Sequence, residues 1–310
     1  MTQKLKIFVS LPTRDNDFQV EQARSAEKMA RTLGIAVEIS YADNDAVNQS
    51  TQILKALQRD AETRPDGIVF EPIGGDAVPR VARVARTAGV GWAVLNRAPE
   101  DIAELRKGAS APIFAITSDH LEIGRIQGRQ FAALLPDGGS VLYIEGPSQS
   151  SSANKRTAGM LETKPANIRV TTLKARWTEE SAHKAVRSWL NLATSSRSEF
   201  DLVGAQDDSM AMGARKAFEE LQSSEEREAW LSLPFTGCDG VTNGGQKWVE
   251  SGLLTATILI PPLTGQAIEM LAKGIESGTQ PPQTSVTVSI SIPALTKLAA
   301  RGARNPAATR

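Results

Sequence analysis

Short runs of consecutive apolar residues alternate along this chain with longer stretches whose apolar residues recur every three or four positions. The runs read as strands buried on both faces, because a sheet with one wet face would alternate polar and apolar residues. The stretches between them read as helices with one buried stripe. A strand over 5–11 is followed by a helix bearing Ala23, Ala26, Met29, Ala30 and Leu33, which Gly34 stops. A strand over 36–40 leads to a helix with Ile53, Leu54, Leu57 and Ala61, and the turn Arg64-Pro65-Asp66-Gly67 delivers the strand 68–71. Gly74-Gly75-Asp76 opens a helix with Val78, Val81, Ala82, Ala85 and Ala88, and the strand 92–95 ends at Asn96-Arg97.

The apolar run Ile113, Phe114, Ala115 and Ile116 leads into Ser118-Asp119, where Asp119 with Glu122 matches a capping box that opens a helix. Four strand-plus-helix units precede this point and about as many follow, so it reads as a junction between two similar halves. Beyond it come strands over 141–145, 170–175, 202–205, 235–238 and 254–260. Between them lie a short helix over 156–161, one from Thr178, and one carrying Met210, Ala214, Ala217, Phe218 and Leu221. A helix over 265–275 and an alternating strand over 286–292 finish the ordered part; the alternation predicts an edge strand with one polar face. Two stretches break the rhythm, the partly charged 99–112 and the charge-rich 223–228. Both read as solvated surface, and the first also as a candidate flap. Residues 301–310 read as a basic, disordered tail.

At 310 residues the chain exceeds the roughly 250–300 that one core serves, which points to two domains. Lys plus Arg and Asp plus Glu number 35 each, so no net charge draws the chain to nucleic acid or an anionic membrane. Its single cysteine, Cys238, excludes an internal disulfide and a cysteine zinc cluster, and the two histidines, His120 and His183, leave little to ligate a metal. Cys238 reads as a small buried hydrophobe. No apolar run reaches the ~18–20 residues of a membrane span. The start, MTQKLKIFVSLP, passes straight into a strand, so export is expected only with a leader ahead of the given residues.

Nucleophile elbow, Walker A loop, HExxH helix and GxGxxG pattern are all missing. The serines of 148–152 have no histidine placed to activate them, and Asp207-Asp208 read as helix-cap residues. No catalytic residue, metal or cofactor is expected. What remains is a polar and aromatic set at the strands' carboxyl ends: Asp15, Asn16 and Phe18; Asn96 and Arg97; Asn154; Trp177; Asp207; Asp239. Ligands of open parallel sheets bind just outside those ends. Arg donates in a fixed fork, Asp and Asn accept, and aromatic rings pack on the apolar face of a sugar, so the mixture suits a polyhydroxylated ligand. Caps and turns use the same residue types; the common position is what sets these apart.

The order of elements, with the stretches SDHLEIGRIQG, AQDDSMAMGA, TGCDGVTNGG, LTATI, EPIGGDAV and VLNR, resembles the type I periplasmic binding proteins. The likeness is specifically to the ribose-binding-like components of sugar ABC transporters, and it covers about residues 6–292. It implies an α/β fold of two doubly wound, Rossmann-like parallel-sheet domains joined by a three-strand hinge. One domain would comprise 1–118 plus 261–289 and the other 119–260 plus 290–300, with the hinge at Ser118, Asp119, Ile260 and Val288. Ligand contacts are implied at Asn16, Phe18, Asn96, Arg97, Asn154, Trp177, Asp207, Asp239 and Ile260. Ribose binders usually carry Asp, Arg, Asn and Gln where this chain has Asn96, Asn154, Asp207 and Ile260. Those departures point away from ribose, toward a less polar sugar, a polyol or a weakly cationic relative.

The function so implied is a monomeric periplasmic receptor that captures a sugar or polyol between its domains, closes on it and delivers it to an ABC transporter permease. The alternative is a ligand sensor: a cytoplasmic protein, the partner of a membrane kinase, or an effector domain of the lactose-repressor kind without its DNA reader. Nucleic acid is not expected as a partner, given the zero net charge, and a repressor is disfavoured unless the chain is truncated, since it starts at its first strand. An enzyme on the same fold ranks third, since fold alone does not fix function.

Overall fold

The computed structural model describes residues 4–73, 78–192 and 199–302. Its elements begin β1 (Lys6–Leu11), α1 (Asp17–Leu33), β2 (Ala36–Tyr41), α2 (Ala46–Leu57), β3 (Gly67–Phe70), α3 (Val78–Thr87), β4 (Gly91–Leu95), α4 (Ile102–Arg106) and β5 (Ile113–Ser118). Next come α5 (His120–Leu134), β6 (Gly139–Glu145), α6 (Ser151–Thr163), β7 (Ile168–Lys174), α7 (Glu179–Leu190), β8 (Leu202–Ala205), α8 (Asp208–Glu219), α9 (Ser224–Ser232) and β9 (Phe235–Thr236). A π-helical turn (Thr242–Gln246) precedes α10 (Lys247–Glu250), β10 (Thr257–Leu259), α11 (Thr264–Ser277), β11 (Thr284–Thr287), β12 (Ile290–Ile292) and α12 (Leu295–Gly302). The chain divides into two compact units, Met1–Ser118 with Pro262–Thr287 and Asp119–Pro261 with Val288–Arg310.

In the first unit six parallel strands lie in the order β11-β5-β4-β3-β1-β2. Successive strand residues point to opposite faces, which is why the inner strands β3 and β4 are apolar and buried throughout. Ile7, Val9 and Leu11 of β1 pack with Ala23 and Ala26 of α1 and Ile268 and Leu271 of α11. Phe8, between them, joins Ile53 of α2, Val81 of α3 and Ile102 of α4 on the other face. Helices therefore cover both sides of the sheet, and the strand ends are what stays open.

The second unit repeats the plan with four parallel strands, β7-β6-β8-β9. Single bridges from Thr236 to Ala256 and from Asp239 to Leu259 add β10 beside β9, and β10 pairs antiparallel with β12. Leu142 and Ile144 of β6 face the α7–α8 side with Ala182, Met210 and Ala214, whereas Val141 and Tyr143 face Phe131 of α5 and Met160 of α6. Asp119 caps α5 by accepting the Glu122 N–H at 3.0 Å. The return half of the capping box is not made, because the Glu122 carboxylate pairs with Arg125 and Arg129. Helices α5 and α6 meet backbone to backbone: a Cβ on Gly124 would fall 2.0 Å from the Arg156 carbonyl oxygen, and one on Gly159 2.0 Å from that of Leu121.

Several sequence expectations need correction. The 99–112 stretch is no solvated flap, since Ile102 and Leu105 of α4 are buried in the core beside Trp92 and Arg106 donates to the Pro281 carbonyl at 2.8 Å. The 223–228 stretch is solvated as expected, with none of its residues buried, and it forms the start of α9, capped by Ser223; Trp230, beyond it, stacks on Phe218 with ring centroids 4.3 Å apart. The single strand expected over 286–292 is two strands in two units, because the chain leaves β5 at Thr287 to join β10. Its apolar positions face solvent instead of a core: Val286 is 58%, Val288 79% and Ile290 54% exposed. Helix α6 begins five residues earlier than expected and takes in Ser151 and Ser152, with Ser150 as its cap. Arg301 and Gly302, assigned to a disordered tail, close α12; the remaining tail residues 303–310 and the Gly74-Gly75-Asp76 helix opening lie outside the described residues. Among the described residues no helix is long and apolar enough to cross a membrane, and no group of three or more His, Cys, Asp or Glu is arranged to hold a metal.

The close approach of α5 and α6 leaves no room for a side chain at the crossing. Gly124→Ala is expected to lower the unfolding free energy by about 1–3 kcal/mol, read as an earlier urea midpoint. An unchanged midpoint would mean that the two helices separate at no cost.

Candidate functional site

Sheet order decides where a crevice opens. In the first unit β2 and β3 flank β1, so the connections after β1 and β3 leave toward opposite faces and part at the strands' carboxyl ends. In the second unit β6 holds the same place between β7 and β8. The residues just beyond these ends therefore border the crevice of each unit.

In the first unit Asn16 is buried and accepts the N–H groups of Phe18 at 2.9 Å and Gln19 at 3.2 Å, capping α1 and setting the buried Phe18 in its first turn. Asp15 is exposed and folds onto Thr13 in a local turn. Gln19 donates Nε2 to Glu71 Oε2 at 2.9 Å, from the helix after β1 to the residue after β3. Gln49 of α2 donates to the Glu71 carbonyl at 2.8 Å and the Ser10 hydroxyl at 3.3 Å, and accepts the Ile73 N–H at 3.1 Å. Asn96 follows β4 in the left-handed region, φ 60°, a conformation that Asn tolerates better than most residues. Arg97 comes next and is largely buried. Burial pulls its pKa below the usual arginine value, and the nearby Glu71 charge opposes that shift. Its guanidinium makes no hydrogen bond or ion pair to another described residue.

In the second unit Trp177 follows β7 at φ 63° and lays its ring on Gly146, just past β6. A Cβ on Gly146 would fall 2.2 Å from the ring. The Arg156 guanidinium of α6 sits over the same ring, 5.4 Å from its centroid, and donates to the Gln206 carbonyl. Gln206, the first residue after β8, accepts the Gly146 N–H at 2.9 Å and donates to the Ala153 carbonyl at 3.1 Å and the Thr157 hydroxyl at 2.9 Å. Asp207 then caps α8 through the Met210 N–H at 2.6 Å. Asp208 accepts the Gly240 N–H and the Thr257 hydroxyl, each at 2.7 Å, and Gly237 and Gly245 crowd its carboxylate. It thereby holds the turn that carries Asp239, itself strained at φ 111°. Asp239 exchanges backbone bonds with Ile258 and with the buried Ile260.

The expected site residues thus differ in setting. Asn16, Phe18, Asn96, Arg97, Trp177, Asp207 and Asp239 all lie at or just past strand carboxyl ends, whereas Asn154 is exposed and gives its amide to the Ser148 carbonyl at 3.0 Å. Of the expected hinge residues, Ser118 is buried with its hydroxyl 3.4 Å from that of Thr287, Asp119 caps α5, and Val288 is exposed. Sequence reasoning missed Glu71, Gln19, Gln49, Arg156, Gln206 and Asp208. Two of these left a signal. Glu71 has the same strand-end position as the residues that were selected, and Arg156 shares the helical stripe of Ala153 and Met160, which marks the buried face of α6.

Residues 7–279 match the periplasmic binding protein domain family. The chain is 28% identical over 218 residues to a putative rhizopine-binding protein of Rhizobium meliloti, a match that spans 68% of this chain and 66% of that protein. It is 27% identical over 258 residues to the ribose import binding protein of Haemophilus influenzae, spanning 83% of this chain and 80% of the relative. In fold it is similar to a solved periplasmic solute binding protein of Actinobacillus succinogenes with bound D-allose, at a TM-score of 0.79 and 20% identity over 95% of this chain and 99% of the other.

Asp208 joins α8, the Asp239 turn and β10 through two buried hydrogen bonds. Asp208→Ala strands both donors and is expected to cost about 2–4 kcal/mol of stability in chemical unfolding. A loss below about 0.5 kcal/mol would show that the turn is held by other means.

Proposed function

The chain belongs to the periplasmic binding protein domain family, and from that premise we propose that it is a receptor for a sugar or polyol, bound without chemical change and delivered to an ABC importer. The observation that carries this reading is Arg97, a largely buried guanidinium that gives no hydrogen bond to another described residue, beside Asn96 at the carboxyl end of β4. A cation withdrawn from water is costly unless something takes up its donors. Ligand hydroxyls do this for Arg97, with Asn16 and Asn96 likewise past strand carboxyl ends of the same unit. In the second unit, taken by itself, Asp207 and Asp239 are carboxylate acceptors and Trp177 offers an indole face, all just past strand carboxyl ends. The names of similar proteins, which speak of ribose, D-allose and rhizopine, support the ligand class. The same reading makes the protein a periplasmic monomer whose protein partner is a transporter permease, with 118–119, 260–262 and 287–288 as the hinge.

A thermal-shift screen over pentoses, hexoses, deoxysugars and polyols is expected to single out the ligand, since one at ~100 times its dissociation constant adds about 2.7 kcal/mol. Arg97→Ala and Trp177→Ala are each expected to weaken it about ten- to a hundred-fold in calorimetry, with the compound recovered intact. Unchanged affinity in both variants would place the site elsewhere. Turnover of the bound compound would make the protein an enzyme.

A further inference from the structure

We propose that Gln130 is a positioning residue of the hinge: from α5 it holds β10 and β12, fixing to one another the three segments through which the chain enters and leaves the second unit. This rests on the reading of 118–119, 260–262 and 287–288 as that hinge.

The chain crosses between the units three times. On the second unit's side the first crossing opens α5, the second is fed by β10 and the third leads into β12. Gln130 is fully buried, and its Nε2 donates to the Thr257 carbonyl of β10 and to the Ser291 hydroxyl of β12, each at 3.0 Å. The Ser291 hydroxyl gives its own proton to the Pro293 carbonyl at 2.7 Å, so toward Gln130 it accepts. Both protons of the amide are thus used, and it can sit only one way round. Little else holds β12. It is three residues long, pairs with the three of β10, and none of its side chains is buried. The Gln130 Oε1, meanwhile, is buried without a partner. A methionine in its place would avoid that cost, so what the amide brings is its donor end.

The contact reaches further than the two strands. Thr257, whose carbonyl Gln130 holds, donates its hydroxyl to Asp208 at 2.7 Å, and the other Asp208 oxygen accepts the Gly240 N–H at 2.7 Å. Gly240 follows Asp239, whose own N–H goes to the Ile258 carbonyl of β10 at 2.9 Å. Thr257 and Asp208 are both buried, so water does not compete for these bonds. One line of hydrogen bonds therefore runs from β12 through Gln130, Thr257 and Asp208 to the turn that carries Asp239. The consequence is that bending stays within the crossings. Helix α5, strands β10 and β12 and the Asp239 turn move as one body, and a pull on that turn reaches all three crossings at once.

The test is backbone amide hydrogen exchange, read by NMR in the full-length protein without ligand. In Gln130→Met, which keeps the length of the side chain and removes its donors, exchange in β10, in β12 and at Gly240 should quicken about tenfold or more, with α7 and the β6–β7 ladder unchanged. Gly240 is the telling position, because Gln130 does not bond to it. Unchanged rates at these positions overturn the proposal. So does an equal rise across the whole second unit, which would mean that Gln130 serves general stability alone. Where Gln130→Met does not fold, Ser291→Ala removes one arm from a half-buried residue and should quicken exchange in β12; unchanged rates there overturn the proposal as well. The hinge reading fails separately. If D-ribose, D-allose or myo-inositol binds in calorimetry while small-angle scattering gives the same radius with and without it, the units do not close, and the exchange rates still decide whether Gln130 holds the strands.

Discussion

All strands of each main sheet run in one direction, and the rest of the structure follows from this. A parallel strand must be followed by a crossover that returns the chain to the opposite end, and here that crossover is a helix. Each strand-to-helix turn then falls on the same edge of the sheet. Helices on both faces bury the apolar strand residues, so the carboxyl-end edge is where backbone ends, helix caps and polar side chains collect. Asn16, Asn96, Trp177 and Asp207 are neighbours of strand ends for this one reason.

Polar side chains buried under that edge hold the turns at fixed spacing. Gln49 ties α2 to the ends of β1 and β3. Gln206 ties the end of β8 to the β6 turn and to α6. Gln127 of α5 donates to the Ala205 carbonyl at 2.7 Å and accepts the Tyr143 hydroxyl at 2.6 Å. Each spans segments far apart in sequence. Breaking such a contact leaves a buried group without a partner, at a cost of about 1–3 kcal/mol, so these amides fix the turns more firmly than apolar packing alone would. Left-handed Asn96 and Trp177 and the strained Asp239 persist because the surroundings over-determine them.

Part of this was open to local reading. Continuous apolar strands, helical stripes, the Gly34 stop and the caps at Asp119 and Asp207 depend on residues within a few positions of each other. The 286–292 stretch misled because alternation reports two faces but not what covers either of them. The 99–112 stretch misled because its two buried residues, Ile102 and Leu105, make too short a stripe to stand out among charges.

The chain by itself therefore determined the alternation of strand and helix, the positions of the turns and the residue types available at each strand end. How each of those residues is buried and bonded was decided only by tertiary structure. Asn154 and Arg156 are two positions apart on one helix, yet one is exposed and the other lies beneath Trp177. Asp207 and Asp208 are adjacent, yet one caps α8 while the other holds the turn before β10. In each pair the difference comes from partners distant in sequence, Gln206 and Trp177 for Arg156 and Gly240 and Thr257 for Asp208, and no local pattern encodes them.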